Sequence, residues 1–393
     1  MVRLRALTIT AAGAGLALAA ATLATPAVAG TPAGDTPHPV IDLNGPRGVD
    51  ALGHGKTLVT ESDGSFSLVV EHADGTAHKY TLGTLGGDFA PAISAGPNRT
   101  VYLLTGGGPP PEEAASGKTM ALRSERVDVT PADAATLFKW RPGWDHPVAV
   151  ADIAAYQATD PDPYDLEGFP EDSNPFGVQA LWDGTVLVAD AAGNDLLRVW
   201  PSSGHIETVA RLKPRVVEVP EGLPELPPEQ GGPLPPAGTP IPSEAVATSV
   251  SVGSDGYWYV GELRGFPATP GTSQIWKIKP GTVDATCDPE HPWRGACKRF
   301  KDGLTSIIDL ARADDGVYAL ELSKMSWFQL ELGVPGAEIG GLFQVKKRGV
   351  PWPRMVELAK DQLPIPGGVD ATWDGDVYVT APLFGPGALW KLG

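Results

Sequence analysis

The sequence predicts an all-β fold, a six-bladed β-propeller of four-stranded antiparallel blades. Three observations carry this reading. A phrase recurs in which an apolar residue is followed by five residues, a Gly, and then a β-branched or aromatic strand often closed by Glu or Asp. It runs from Val49 to Gly55, Val178 to Gly184, Val250 to Gly256, Leu310 to Gly316 and Val369 to Gly375. A degenerate copy starts at Ile93, with Asn98-Arg99 in place of Asp-Gly. Repetition of one hairpin unit makes a repeat architecture. Each unit also reads as four strands, and a four-stranded unit that cannot bury both faces alone does so when packed radially. Finally, unit 6 stops after its third strand at Leu392-Gly393, while an orphan strand, Pro39–Leu43, precedes unit 1. That strand is expected to complete the last blade and remove an open sheet edge.

Taken in chain order, the first element is a secretory signal over residues 1–29. Arg3 and Arg5 precede an Ala-rich apolar run from Ala6 to Leu23, and Ala27-Val28-Ala29 is a small-x-small cleavage site. A single propeller is expected over residues 30–393. Unit 3 shows the pattern of strands: Gly177–Leu181, Thr185–Ala189, Leu196–Trp200 and Ile206–Leu212. The turns around Asp183-Gly184, Gly193-Asn194 and Ser203-Gly204 supply the positive φ that tight hairpins need. Third strands recur at Leu137–Trp140, Leu197–Trp200, Ile275–Ile278, Leu342–Val345 and Leu389–Leu392, and their apolar positions are expected to pack between blades.

Long insertions fall at 105–136, 157–174, 213–243, 264–273 and 324–340. Every one is a connection between strands two and three or between strands four and one. If the first strand runs down the axis, these connections share the top face, where a rigid scaffold gathers ligand-contacting residues. The segment 213–243 holds ten prolines and reads as a stiff excursion over that surface. Cys287 and Cys297 lie on the opposite face, in the link between the third and fourth strands of unit 4. In an oxidising compartment they are expected to form a local disulfide.

Composition narrows the function. The formal net charge is −17, and loss of Arg3 and Arg5 with the signal lowers it by two to −19. That excludes nucleic acid, whose phosphates need basic surfaces. No further stretch is long and apolar enough to insert stably in a membrane once the signal is removed, so a secreted monomer is expected.

Chemistry is weakly marked. There is no Gly-x-Ser-x-Gly elbow and no His-x-x-x-His pair. The candidate site is the acidic set closing the second strands, Glu61, Asp190, Glu262 and Glu321, with Asn194 beside Asp190. These residues are expected to converge at the top of the axial channel. If a metal is held, Asp190, Glu262 and Glu321 are its expected ligands, and hard oxygen donors suit calcium or magnesium. The alternative is that each carboxylate accepts hydrogen bonds from the backbone of its own neighbouring loop.

The stretch from Asn174 to Val199 resembles an NHL-type propeller repeat. More closely, the chain resembles the ScyD/ScyE family. The matching stretches are Asp172–Gly177, Ala189–Arg198, Thr248–Gly256, Tyr259–Pro267, Leu304–Leu310 and Gly367–Val369. The resemblance implies an exported bacterial propeller and implies no particular reaction. Two functions follow as expectations. One is a secreted propeller binding a small molecule or an extracellular protein on its elaborated face. The other is a metal-dependent, gluconolactonase-like hydrolase or lyase using carboxylates in the axial channel.

Overall fold

The computed structural model describes residues 36–87, 89–107, 134–225, 232–346 and 354–392. The secretory signal and most of the 105–136 insertion lie outside the described residues.

Six antiparallel blades account for the repeats. Blade 1 comprises β2 (Val49–Gly53), β3 (Lys56–Thr60), β4 (Ser65–Glu71) and β5 (Ala77–Thr84). Blade 2 comprises β6 (Ala92–Gly96), β7 (Thr100–Leu104), β8 (Thr136–Trp140) and β9 (Val148–Asp152). Blade 3 comprises β10 (Pro175–Ala180), β11 (Val186–Asp190), β12 (Asp195–Trp200) and β13 (His205–Leu212). Blade 4 comprises β16 (Ala247–Val252), β17 (Trp258–Glu262), β18 (Ser273–Ile278) and β20 (Cys297–Leu304). Blade 5 comprises β21 (Ile307–Ala313), β22 (Gly316–Glu321), β23 (Gly341–Lys346) and β24 (Arg354–Leu358). In blade 6, β25 (Gly368–Ala371), β26 (Val377–Ala381) and β27 (Pro386–Leu392) are joined by β1 (His38–Asn44).

The clasp is the expected one. β1 runs antiparallel to β27, from His38 opposite Lys391 to Asn44 opposite Pro386. Leu43 enters a cluster with Val49, Val59, Val69, Tyr378 and Leu389, so the closing strand ties blade 6 to blade 1 through the core.

The third strands supply much of the inter-blade packing. Leu137, Leu197, Trp276, Val345 and Leu389 are fully buried. Each apolar face lies against the next blade rather than against water, which is why the four-stranded units are stable only in the ring.

Two insertions fold locally. The Pro-rich 213–243 segment forms a hairpin of β14 (Arg215–Glu218) and β15 (Pro240–Ser243). In 324–340 a short helix, α2 (Trp327–Glu331), buries Trp327 and Phe328 in the largest core cluster. Its start is fixed by Ser326, whose hydroxyl accepts the Gln329 amide at 3.2 Å. Another short helix, α1 (Ile153–Gln157), follows β9. Asp152 caps it by accepting the Ala155 amide at 2.8 Å.

Cys287 and Cys297 are disulfide-bonded and buried. Cys287 ends β19 (Ala285–Cys287), which pairs parallel with β13 as a fifth strand on blade 3, while Cys297 begins β20 of blade 4. The bond therefore joins strands of two neighbouring blades. No helix among the described residues is long and apolar enough to cross a membrane.

Leu43→Ala is expected to destabilise the fold by about 3 kcal/mol, the usual range for truncating a buried leucine. Urea unfolding of the variant checks it. A change below about 1 kcal/mol would mean that the clasp adds little to ring closure.

Candidate functional site

The first strand of every blade is the edge strand of its sheet, and each packs beside the first strands of its two neighbours around the axis. They enclose a cavity of about 80 Å³. Its polar lining is Arg47, Asp50, Ser94, Gln179, Thr248, Asp309 and Asp370. Arg47 leads into β2, Asp50 lies within it, and the others come from β6, β10, β16, β21 and β25.

These side chains reach from one blade to the next. Asp309 Oδ2 accepts the Val369 amide at 2.9 Å, and Asp370 Oδ2 accepts the Ala51 amide at 2.6 Å. Asp50 Oδ2 accepts the Ala95 amide at 2.7 Å, and Ser94 Oγ accepts the Ala180 amide at 3.0 Å. Four successive blade junctions, from blade 5 round to blade 3, are thus joined by one device. In blade 5 a register shift between Ile307 and Asp309 accompanies the placement of Asp309.

Among the described residues, Arg47 is the only basic one lining the cavity. It is buried, donates to the carbonyls of Ala90 (3.2 Å) and Phe176, and stacks 3.8 Å from the Phe176 ring centroid. Burial lowers its pKa to about 10, against the raising influence of Asp309. Burial pushes Asp309 up to about 6 although two amides and Arg47 pull it down. Burial, and then the Asp50 carboxylate, push Asp370 well above the ordinary range, and Asp50 is itself raised by burial. Three carboxyls and one guanidinium leave an excess of negative charge that a proton or a cation can balance.

The acidic set read from the sequence lies elsewhere. None of Glu61, Asp190, Asn194, Glu262 and Glu321 lines the axial cavity. Glu61 accepts the Asn44 amide at 2.9 Å and pairs with Lys79 at 2.6 Å. Asp190 Oδ1 accepts the amides of Asn174, Ala192 and Gly193 at 2.7, 3.1 and 3.1 Å, and its Oδ2 accepts the Ser173 hydroxyl at 2.6 Å. Asn194 bridges Asp162 Oδ2 (3.0 Å) and the Val246 amide (2.7 Å). Glu262 is held by Arg264 and the Trp276 indole, and Glu321 accepts the Thr305 amide at 2.7 Å.

The expected convergence is therefore corrected: these residues bond to loops and neighbours around their own strand ends. The physical reason is position. A second strand lies one strand spacing, about 4.8 Å, farther from the axis than the first, and unpaired loop amides are nearer to it. The expected metal set of Asp190, Glu262 and Glu321 does not assemble. Among the described residues, the only group of three or more His, Cys, Asp or Glu ligand atoms within 4.8 Å of one another is Asp288, Glu290 and His291, of which Glu290 and His291 are exposed. Asp288 there already binds Lys213 at 3.0 Å.

The axial aspartates were missed because alternation reports the two faces of a sheet, whereas the axis meets its edge. A usable signal was present: three of the six first strands carry an apolar–Asp pair, Val49-Asp50, Ile308-Asp309 and Val369-Asp370.

Fold and site together define a six-bladed propeller with an acidic axial cavity. No family model matches the chain, and no curated protein matches it. Solved structures do share its architecture. The PQQ-bound aldose sugar dehydrogenase of Streptomyces coelicolor is 13% identical, with 92% of this chain and 99% of that one covered at a TM-score of 0.50. A glucose dehydrogenase is 13% identical, with 91% and 99% covered at 0.52. A gluconolactonase of Xanthomonas campestris is 9% identical, with 91% and 87% covered at 0.46. At these identities the likeness shows the fold and no more.

Burial pushes Glu321 up to about 8. An acid with a raised folded pKa binds its proton more tightly folded than unfolded, so its stabilising effect is complete below the unfolded value and is lost as pH rises through the folded one. Thermal stability is expected to fall between about pH 4.5 and pH 8, and Glu321→Gln is expected to flatten that slope. Melting curves across the range decide it; an unchanged slope in the variant would remove Glu321 as its source.

Proposed function

We propose that this protein is an exported six-bladed propeller that binds a small molecule on its loop-elaborated face and holds a cationic group of that ligand at the axial aspartates. The observation that carries the reading is the axial cavity, where Asp50, Asp309 and Asp370 from three blades face a single guanidinium. Among the described residues, no three axial carboxylates draw into a group within 4.8 Å. That separation is wider than a compact chelate and suits an ammonium head or a hydrated cation.

The surroundings fit a ligand with an apolar body. Arg47 and Phe176 both line the cavity. Phe89, Val246, Phe266 and Ile365, from four such connections and loops, are partly buried against the same core cluster as Phe176. Phe89 and Phe176 both lie against the Arg47 guanidinium, at 5.3 and 3.8 Å, and apolar walls beside a few convergent polar groups are the usual form of a small-molecule site. Export is supported by the N-terminal signal pattern and agrees with the buried disulfide. The same reading fits membership of the ScyD/ScyE family, on the motifs quoted above.

A metal-dependent hydrolase or lyase is the second reading, and one observation favours it. Asp309, raised to about 6, is suited to exchange a proton near neutral pH. Binding is preferred because the cavity of about 80 Å³ admits a head group and not a substrate ring.

The test is calorimetric titration of residues 30–393 with choline, putrescine, magnesium and a neutral isostere of choline. A cationic probe is expected to bind, and the Asp50→Asn, Asp370→Asn double variant to weaken it at least tenfold with the fold intact by circular dichroism. Equal binding by the double variant, or no preference for the cation over the isostere, would refute the proposal.

A further inference from the structure

Blade 3 holds a second acidic territory, distinct from the axis. Asp190 closes β11, Asp195 opens β12, and Gln157 ends α1, which packs beneath the turn between them. All three side chains are buried, at 0%, 1% and 0% exposure. The Gln157 Nε2 amide reaches both carboxylates, lying 3.1 Å from Asp195 Oδ2 and 3.4 Å from Asp190 Oδ2. The packing is close: a Cβ on Gly193, in the turn above, would sit 2.2 Å from that same nitrogen.

Two buried oxygens at this point have no hydrogen-bond partner, Asp195 Oδ1 and Gln157 Oε1. Both are acceptors. Leaving such groups bare costs on the order of 1–3 kcal/mol each, so something donates to them or coordinates them. The surrounding charge says which. Asp162, 5% exposed, adds its charge on the Asn194 side of the same turn. Burial, then Asp165 and Asp190, raise the Asp172 carboxyl. The basic group facing this cluster is Arg211, and its guanidinium is taken by Asp160 and by Asp284 (2.6 Å). A water would satisfy the orphan oxygens and leave the carboxylates uncompensated, and a proton on Asp195 would compensate one carboxylate only. A hard cation satisfies the oxygens and compensates both.

We propose that a divalent cation with the oxygen preference of calcium is bound between α1 and the β11–β12 turn of blade 3, ligated by Gln157 Oε1, Asp190 Oδ2 and Asp195 Oδ1. Asp190 Oδ1 is saturated by three amides and orients the carboxylate, so the ligating oxygen is Oδ2, which keeps one lone pair for the Ser173 hydroxyl at 2.6 Å. The site pins the 157–174 insertion, which begins at Gln157 and returns to the blade at Asn174, onto the end of the blade. The role is separate from the axial reading, since none of these residues lines the axial cavity.

The experiment uses residues 30–393, stripped with EDTA and titrated with calcium and with magnesium. Elemental analysis and scanning calorimetry are the readouts. One calcium per chain is expected, with a rise in melting temperature that magnesium reproduces more weakly. Asp195→Asn is expected to weaken calcium at least tenfold and, by removing a buried charge, to melt higher than the parent in EDTA. Gln157→Glu is expected to melt lower in EDTA and to recover in calcium, which keeps the proposal testable should the first variant fold poorly. Asp370→Asn, at the axis, is expected to keep the calcium response. No stoichiometric metal and no calcium shift in the parent overturns the site. An unaltered calcium response in Asp195→Asn, or a response lost in Asp370→Asn instead, overturns it equally.

Discussion

The inner edges of the six blades are the constraint on which the rest depends. The first strand of a blade is hydrogen-bonded on one side only, so its axial edge carries unpaired amides and carbonyls in a place too narrow for bulk water. The chain meets both needs with side chains from the preceding blade. Asp309, Asp370, Asp50 and Ser94 accept the amides of Val369, Ala51, Ala95 and Ala180 in turn. The carbonyls are caught by threonine hydroxyls: Thr60 donates to Pro91, Thr380 to Arg47 and Thr248 to Ile307, at 2.7, 2.8 and 2.7 Å. Each bond crosses a blade boundary, so the axis holds the ring together and at the same time collects charge.

That dual use explains why the axial carboxyls are present at all. An aspartate that accepts amides in this way still carries a negative charge into a cavity whose lining, among the described residues, holds one basic group, Arg47. Serine does the same structural task in blade 2 without charge. Three charged residues where neutral ones suffice mark the cavity as more than a seam, because burial makes each additional charge expensive unless something compensates it.

The fold was legible because its signals are local. Gly184, Gly256 and Gly375, all at positive φ, fix the hairpins between first and second strands, and the period of the units follows from them. The clasp was legible from a strand without a partner at one end of the chain and a blade missing a strand at the other. The site was not, for a geometric reason. Glu61, Glu262 and Glu321 sit at equivalent places in their repeats, and equivalence in a repeat suggests a shared ring. Yet the ring they define lies outside the first strands, where loop amides, Arg264 and Trp276 reach them first. Asp190 lies off the axis: the Gln157 amide, at the end of a neighbouring helix, reaches both it and Asp195 on the next strand, and no spacing in the sequence announces that meeting.

The two acidic territories obey different physics. At the axis the carboxyls come from separate blades and are held apart by the width of the ring, so the cavity can admit a group from outside and let it go. In blade 3 the carboxyls come from the two sides of one tight turn, closed over by α1, and an ion there would leave only if the turn or the helix moved. Exchange is therefore expected to be fast at the axis and slow in blade 3. This ordering follows from burial alone: opening a closed turn breaks the Asp190 amide bonds together, whereas emptying the axial cavity leaves every blade-to-blade bond in place.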